Sequence, residues 1–254
     1  MREDGGVKIQ QVSDSVYVVA GTNVNWALVS DGSGVVVVDA GYPGDTAAVL
    51  KSVREIGHGL GDVAAVLVTH AHLDHIGAVP ELVERVGMPV YTGANEVPHA
   101  KREYLQQISA VQVARQLGSL RGARWVADTA RAVVGHLGTS VPTAQAAEPA
   151  VLAALPGGLT AVSTPGHTDG HTAYFMASEG VLFSGDALVT GHPLLRGTGP
   201  QLLPDVFNHN ESGTRASLRN LAIEDAHILV PGHGEPMRGD LPELVARVIA
   251  SDLP

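Results

Sequence analysis

Apolar residues in this chain come as short unbroken runs in some stretches and at helical intervals in others. Val16-Tyr17-Val18-Val19 and Val35-Val36-Val37-Val38 are β-branched and aromatic runs, bounded by Gly21 and by Asp31-Gly32-Ser33-Gly34. Residues 15–39 therefore read as strands, with the Asp-Gly-Ser-Gly cluster as a hairpin turn. Over 44–56, Ala47, Leu50, Val53 and Ile56 fall on one helical face, and Asp45 is placed to act as N-cap. Val63–Val68 follows as a buried strand, 77–86 as a short helix and 89–91 as a short strand. Strands followed by βαβ alternation point to a layered α/β fold.

The pattern changes over residues 98–145. Tyr104, Ile108, Val111 and Ala114 recur at helical spacing, as do Val126, Ala130, Val133 and Leu137, so an α-hairpin turning at Gly118–Gly122 is expected. Strands resume at 159–162, 173–176 and 181–183, then a helix over 211–222 and a last strand at 226–230. The halves echo each other. Val35–Val38 ends in Asp39 and Val181–Gly185 ends in Asp186; Val66–Thr69 leads to His70 and Ile228–Gly232 leads to His233.

Composition narrows the chemistry. Apolar residues make up 44 % of the 254, enough for a substantial core. The formal charge is −10 and the 16 lysines and arginines form no long run, which disfavours nucleic acid as a partner. No apolar run is long enough to span a membrane. The start, Met1-Arg2-Glu3-Asp4-Gly5-Gly6, is polar and acidic with no apolar leader after it, so a cytoplasmic location is the default. With no cysteine, disulfides, thiolate metal sites and thiol nucleophiles are excluded. The 12 histidines carry most of the remaining information.

Four potential metal ligands fall within six residues in His70-Ala71-His72-Leu73-Asp74-His75, just beyond a buried strand. Imidazoles and carboxylates suit zinc, iron and manganese. Alternate residues of an extended segment project to one side, so His70 and His72 can share one ion, while Asp74 and His75 open the next turn and can face a second. Three later segments each set a glycine before a ligand type: Gly166-His167, Gly185-Asp186 and Gly232-His233. Glycine lets backbone approach closely and turn sharply there. His171 reads as structural support. His192 and Arg196 follow Asp186 closely, where either a substrate contact or a solvated loop would fit. His58, His99, His136, His209 and His227 read as unremarkable.

With these residues the sequence resembles the metallo-β-lactamase superfamily over roughly residues 15–240. The resemblance implies a four-layer αββα sandwich over a single domain, 1–254, with 98–145 as a helical insertion. It implies His70, His72 and His167 on one metal, Asp74, His75 and His233 on a second, and Asp186 bridging them. Two zinc ions are expected, with iron or manganese as alternatives, and Asp74 as the catalytic residue that orients a hydroxide shared by the metals. Asp39 matches an aspartate that supports the site in the family; capping the turn at Ala40-Gly41 is its other reading.

The absence of cysteine removes the β-lactamase subclasses that use a Cys ligand. The ligand set looks more like glyoxalase II and the acyl-homoserine lactonases, although little chain follows His233 and no tyrosine follows Tyr174. The expected activity is hydrolysis of an ester, thioester or lactone of a small-molecule substrate. The competing readings are a β-lactamase-like amide hydrolase, an iron-dependent persulfide dioxygenase on His70, His167 and Asp186, a phosphodiesterase, and a non-catalytic binding protein. The 98–145 segment is expected to cover the site; the competing reading is a homodimer face using Tyr104, Ile108, Val111 and Trp125.

Overall fold

A computed structural model describes residues 8–251. The polar start Met1–Gly6, on which the absence of a leader was read, lies outside the described residues. Seven strands form one sheet in chain order: β1 (Lys8–Gln11), β2 (Val16–Ala20), β3 (Asn25–Ser30), β4 (Val35–Val38), β5 (Val63–Leu67), β6 (Val90–Thr92) and β7 (Ala144–Ala146). Pairings are antiparallel up to β4 and parallel from β4 onward. Short turns serve the first set, and the second needs crossovers. A second sheet contains β8 (Leu159–Ser163), β9 (Thr172–Met176), β10 (Val181–Gly185), β11 (Ile228–Pro231) and β12 (Met237–Arg238), in the order β12-β11-β10-β9-β8. Only its β10–β11 pair is parallel.

The helices are α1 (Thr46–Glu55), α2 (Leu73–Ile76), α3 (Val79–Val86), α4 (Val97–Ala100), α5 (Ala110–Arg115), α6 (Leu120–Val133), α7 (Pro149–Ala154), α8 (Glu211–Ser217) and α9 (Leu241–Ser251). The runs of valine are unbroken because both faces of each strand are buried. Trp26, Leu28, Val35 and Val37 pack with Val49, Val53 and Leu82 of α1 and α3. Their alternates Ala27, Val29, Val36 and Val38 meet Tyr174, Met176, Phe183 and Val230 of the other sheet. The far face of that sheet, with Phe175, Leu182 and Leu229, packs on Leu241, Leu244 and Val248 of α9. Helix, sheet, sheet and helix thus make the expected αββα sandwich. Among the described residues, no helix is long and apolar enough to cross a membrane.

The echo between the halves becomes two parallel strand pairs, one in each sheet. Val38 of β4 lies beside Leu67 of β5, and Phe183 of β10 beside Val230 of β11. Asp39 and His70 therefore leave one sheet side by side, and Asp186 and His233 leave the other.

Several local expectations are corrected. Asp45 holds the N-cap position of α1, but its side chain makes no cap. Its carboxylate instead accepts the Thr22 hydroxyl at 2.7 Å and the Tyr42 amide at 3.1 Å, tying two loops together. No helix runs through Tyr104 and Ile108. Ser109 caps α5 by accepting the Gln112 N–H, which ends any helical path from 104. Gly122 lies inside α6, and the break falls earlier, at the Ser119 cap. The three-residue β7, α7, β12 and α9 were not expected.

Candidate metal centre

All seven sequence-predicted ligands meet at the edge of the sandwich where these strands end. His70 and His72 sit in the extended link between β5 and α2. Asp74 and His75 lie in the first turn of α2, so their side chains face the other way. His167 comes from the β8–β9 loop, Asp186 from the end of β10, and His233 from the end of β11. Three overlapping clusters result: His70, His72 and His167; His70, His75 and Asp186; and Asp74, His75 and His233.

The outer nitrogens fix which inner nitrogens carry lone pairs. His72 Nε2–H donates to the Gln106 carbonyl at 2.6 Å, and His167 Nδ1–H to Asn208 Oδ1 at 2.9 Å. His75 Nδ1–H donates to Asp39 Oδ2 at 2.9 Å, and His233 Nδ1–H to the Asn23 carbonyl at 2.6 Å. Thr69 Oγ1 gives its proton to Asp39 Oδ2 at 2.8 Å, so it accepts from His70 Nδ1 at 3.1 Å. In His70, His72 and His167 the remaining nitrogen is left as an acceptor facing inward, while His75 Nε2 and His233 Nε2 face the Asp186 carboxylate.

Inward-facing acceptors cannot bond one another, yet they crowd together. His70 Nε2, His72 Nδ1 and His167 Nε2 form a triangle with sides of 3.0–3.1 Å. Such a triangle has a circumradius of roughly 1.8 Å, within the 2.0–2.1 Å at which imidazole nitrogens bind zinc, so these three nitrogens could hold one ion in common. Asp186 lies between this triangle and the second set. Its Oδ2 is 3.4 Å from His167 Nε2 and 3.1 Å from His233 Nε2, and its Oδ1 is 3.4 Å from His75 Nε2. Asp74 Oδ2 is 3.6 Å from His233 Nε2 and 3.8 Å from His75 Nε2. His75 Nε2 and Asp186 Oδ1 are buried with no hydrogen-bond partner. Buried, oriented acceptors of this kind fit divalent cations.

Electrostatics divide the site. Burial, reinforced by neighbouring imidazoles, pushes His70 and His72 well below the usual imidazole range; burial also lowers His167, with Asp186 opposing it. Burial also opposes charge on His75 and His233, but there Asp186 leads a set of carboxylates that outweighs it and raises both. Asp186 is held well below the carboxylate range because His233 and His75 overcome the effect of burial. One side offers lone pairs, and the other draws positive charge.

The supports are built as firmly as the ligands. Gly185 has φ +51°, and a side chain on it would strike Thr69 and His171. A Cβ on Gly232 would lie 2.2 Å from Asp186 Oδ1. His171 is a support, as expected: its Nε2 accepts the Asp186 N–H at 3.1 Å and its Nδ1–H donates to Thr164 at 2.8 Å. Burial, then His167, lowers it to about 3. Among the described residues, three that are not glycine have left-handed backbone: Asn23, Asp39 and Arg102. Each holds a ligand segment, since Arg102 donates to the Ala71 carbonyl at 2.8 Å. Strained backbone of this kind clusters at functional sites.

Sequence reasoning missed Glu96 and read His99 as unremarkable. Both are fully buried. Glu96 Oε1 accepts the Ala71 N–H and the His99 Nδ1–H, each at 2.7 Å, and its Oε2 accepts the Thr168 hydroxyl at 2.7 Å. It thereby joins the His70–His72 segment to the His167 loop. The i,i+3 pair of Glu96 and His99 was the available signal. Asn23 and Asn208 were missed as well.

A cavity of about 460 Å³ opens over His72, Asp74, His167, Asp186 and His233. Its far wall comes from the 98–145 segment, including Leu105, Ile108, Trp125 and Val126. The segment covers the site. Of the residues read as a dimer face, Trp125 is buried, Ile108 lines the cavity, and Tyr104 stacks on His99; Val111 is exposed. His192 lines the cavity against His233 and Trp125, and is lowered to about 3 by burial and then His233. Arg196 is exposed and lines no part of the cavity. His58, His136 and His227 stand away from the cluster.

These features define a metallo-hydrolase of the αββα class. The sequence model of the metallo-beta-lactamase superfamily matches residues 19–233, and the chain belongs to that family. It is 28 % identical over 235 residues to a probable metallo-hydrolase, YflN, of Bacillus subtilis (strain 168), covering 84 % of this chain and 82 % of that one. It is 32 % identical over 180 residues to a hydroxyacylglutathione hydrolase of Halorhodospira halophila, covering 71 % of this chain but only 49 % of the relative. A metallo-β-lactamase of Cronobacter sakazakii superposes with TM-score 0.67 at 18 % identity, over 97 % of this chain and 93 % of the other. A subclass B3 metallo-β-lactamase of Bradyrhizobium japonicum gives 0.64 at 19 %, over 96 % and 91 %. At such identities the likeness shows the fold alone. Family and fold together make this protein a metal-dependent hydrolase.

Proposed function

We propose that the protein hydrolyses an ester, thioester or lactone of a small molecule with two zinc ions. The observation that carries this is the set of five histidines whose outer N–H groups are all engaged by protein acceptors while their inner nitrogens converge with Asp74 and Asp186. His70, His72 and His167 would hold one ion, Asp74, His75 and His233 the other, and Asp186 would serve both. When bound, such ions lower the pKa of water to near neutrality and polarise a carbonyl.

The chain's own residues do the rest. The cavity of about 460 Å³ falls within the roughly 300–1,000 Å³ of small-molecule sites, and apolar side chains such as Leu73, Ile108 and Val126 line much of it. Asp74 is the least buried of the proposed ligands and lines this cavity. It is placed to take a proton from the attacking water and pass it to the departing oxygen or sulfur. An amide nitrogen needs protonation as it leaves, and among the described residues lining the cavity there is no lysine or dedicated second acid to supply it. The name of the Halorhodospira relative points the same way.

The test is kcat/KM for an ester, a thioester, a lactone and a β-lactam with zinc-loaded protein, alongside Asp186→Ala. The variant should keep its fold and lose both hydrolysis and the paired metals. A β-lactam exceeding the other three by tenfold would refute the preference, and full activity in Asp186→Ala would remove that residue from the site.

A further inference from the structure

The cavity walls differ from the rest of the chain in one respect. Among the described residues, no lysine or arginine lines the cavity. Its ionisable members are the proposed ligands His72, Asp74, His167, Asp186 and His233, with Tyr42 and His192. His192 Nδ1 accepts the Leu194 N–H at 3.1 Å, so that ring is held as a neutral tautomer. Leu105, Ile108, Val126, Leu203 and Phe207 make the wall away from the ligands. A second pocket of about 190 Å³ shares Gln107, Ile108, His167 and Phe207 with the first. It is lined by Gln106, Gln107, Gln112, Val206, Asn208 and His209, and again by no lysine or arginine.

We infer that the site selects uncharged substrates: an apolar acyl chain of medium length fills the larger cavity, and a neutral alcohol or thiol portion lies in the smaller, polar annex. His167 lies on the border of the two pockets, which sets the scissile carbonyl there. Water forms the new C–O bond, the C–O or C–S bond breaks, and the released proton ends on the departing oxygen or sulfur. Apolar surface on the chain is stabilised by burial, and more so with each added methylene. A carboxylate at the far end of the chain would lose its hydration with no cation to meet it. The cavity therefore discriminates against anionic acyl groups as well as short ones.

For its chemistry the inference rests on the proposed hydrolase activity; for its selectivity it rests on the walls alone. The test uses zinc-loaded protein and three 4-nitrophenyl esters: acetate, octanoate, and the monoester of octanedioic acid, which is the same chain ending in a carboxylate. Octanoate should exceed both others at least tenfold in kcat/KM. In parallel, calorimetry compares octanohydroxamate with its carboxylate-ended counterpart, expecting at least tenfold tighter binding of the neutral one. Val126→Lys, which sets a cation in the wall, should narrow or reverse both ratios. Equal or better turnover and binding of the anionic chain in the unaltered protein would overturn the inference and leave hydrolysis standing. Intact binding preference with no turnover of any ester would instead sink the hydrolase reading and support the assignment of the cavity.

Discussion

Asp39 accepts the Nδ1–H of His75 at 2.9 Å with the same Oδ2 that takes the Thr69 hydroxyl at 2.8 Å. Its Oδ1 accepts the Thr69 N–H at 2.8 Å. One carboxylate thus orients a proposed ligand of each metal, His75 directly and His70 through Thr69. Asparagine also tolerates left-handed backbone, so Asp39→Asn tests the acceptors rather than the turn. With one acceptor oxygen in place of two, the variant should bind metal about 10–100-fold more weakly, as loss of such a partner usually does. Competition with a chelator measures this, and unchanged affinity would remove Asp39 from the support of the site.

Gly232→Ala should be more damaging than its single methyl suggests. The added Cβ would lie 2.2 Å from Asp186 Oδ1 and 2.9 Å from the His75 ring. Asp186 cannot yield without leaving both sets of proposed ligands. More than tenfold loss of hydrolysis is expected, with retained secondary structure by circular dichroism. Gly61→Ala, where the added Cβ meets nothing within 4 Å, is the control and should behave as the unaltered protein. Equal activity in the two variants would contradict the close approach.

Glu96 supplies a prediction with a sign. A glutamine can still turn one oxygen toward Ala71 N–H and His99, and its amide can donate to the Thr168 hydroxyl. An alanine leaves these buried donors without acceptors, at about 1–3 kcal/mol for each unsatisfied group. In urea denaturation of the chelated protein, Glu96→Ala should lose roughly 3 kcal/mol and Glu96→Gln under about half of that. Equal losses in both would show that carboxylate charge, rather than acceptor geometry, holds the two loops.

The parts of this structure legible in the sequence share a physical cause. Strands such as Val35–Val38 and Val63–Leu67 are buried on both faces, so they stand out as apolar runs. The seven proposed ligands stand out because ligand types follow strand ends and glycines that a side chain would block. Glu96, Asn23 and Asn208 were not legible because each acts through a distant partner: Glu96 through Thr168, Asn23 through His233, and Asn208 through His167. Nothing local distinguishes Asn23 and Asn208 from solvated polar residues, and Glu96 had only its i,i+3 spacing to His99. The periodicity at Tyr104, Ile108, Val111 and Ala114 misled because a strong local signal, the Ser109 cap, overrode it, and because Tyr104 stacks on His99 instead. The strand β7 is three residues long and is held by its pairing with β6, which leaves little pattern to read.

The central claim is that these seven side chains hold a pair of metal ions that the hydrolysis needs. The most direct measurement is elemental analysis of untagged protein, followed by ester hydrolysis after chelation and after return of zinc. The account predicts about two equivalents of transition metal per chain, mainly zinc, with activity lost on chelation and restored by zinc. One tightly held iron per chain with no second metal, and oxygen uptake in place of ester hydrolysis, would contradict it.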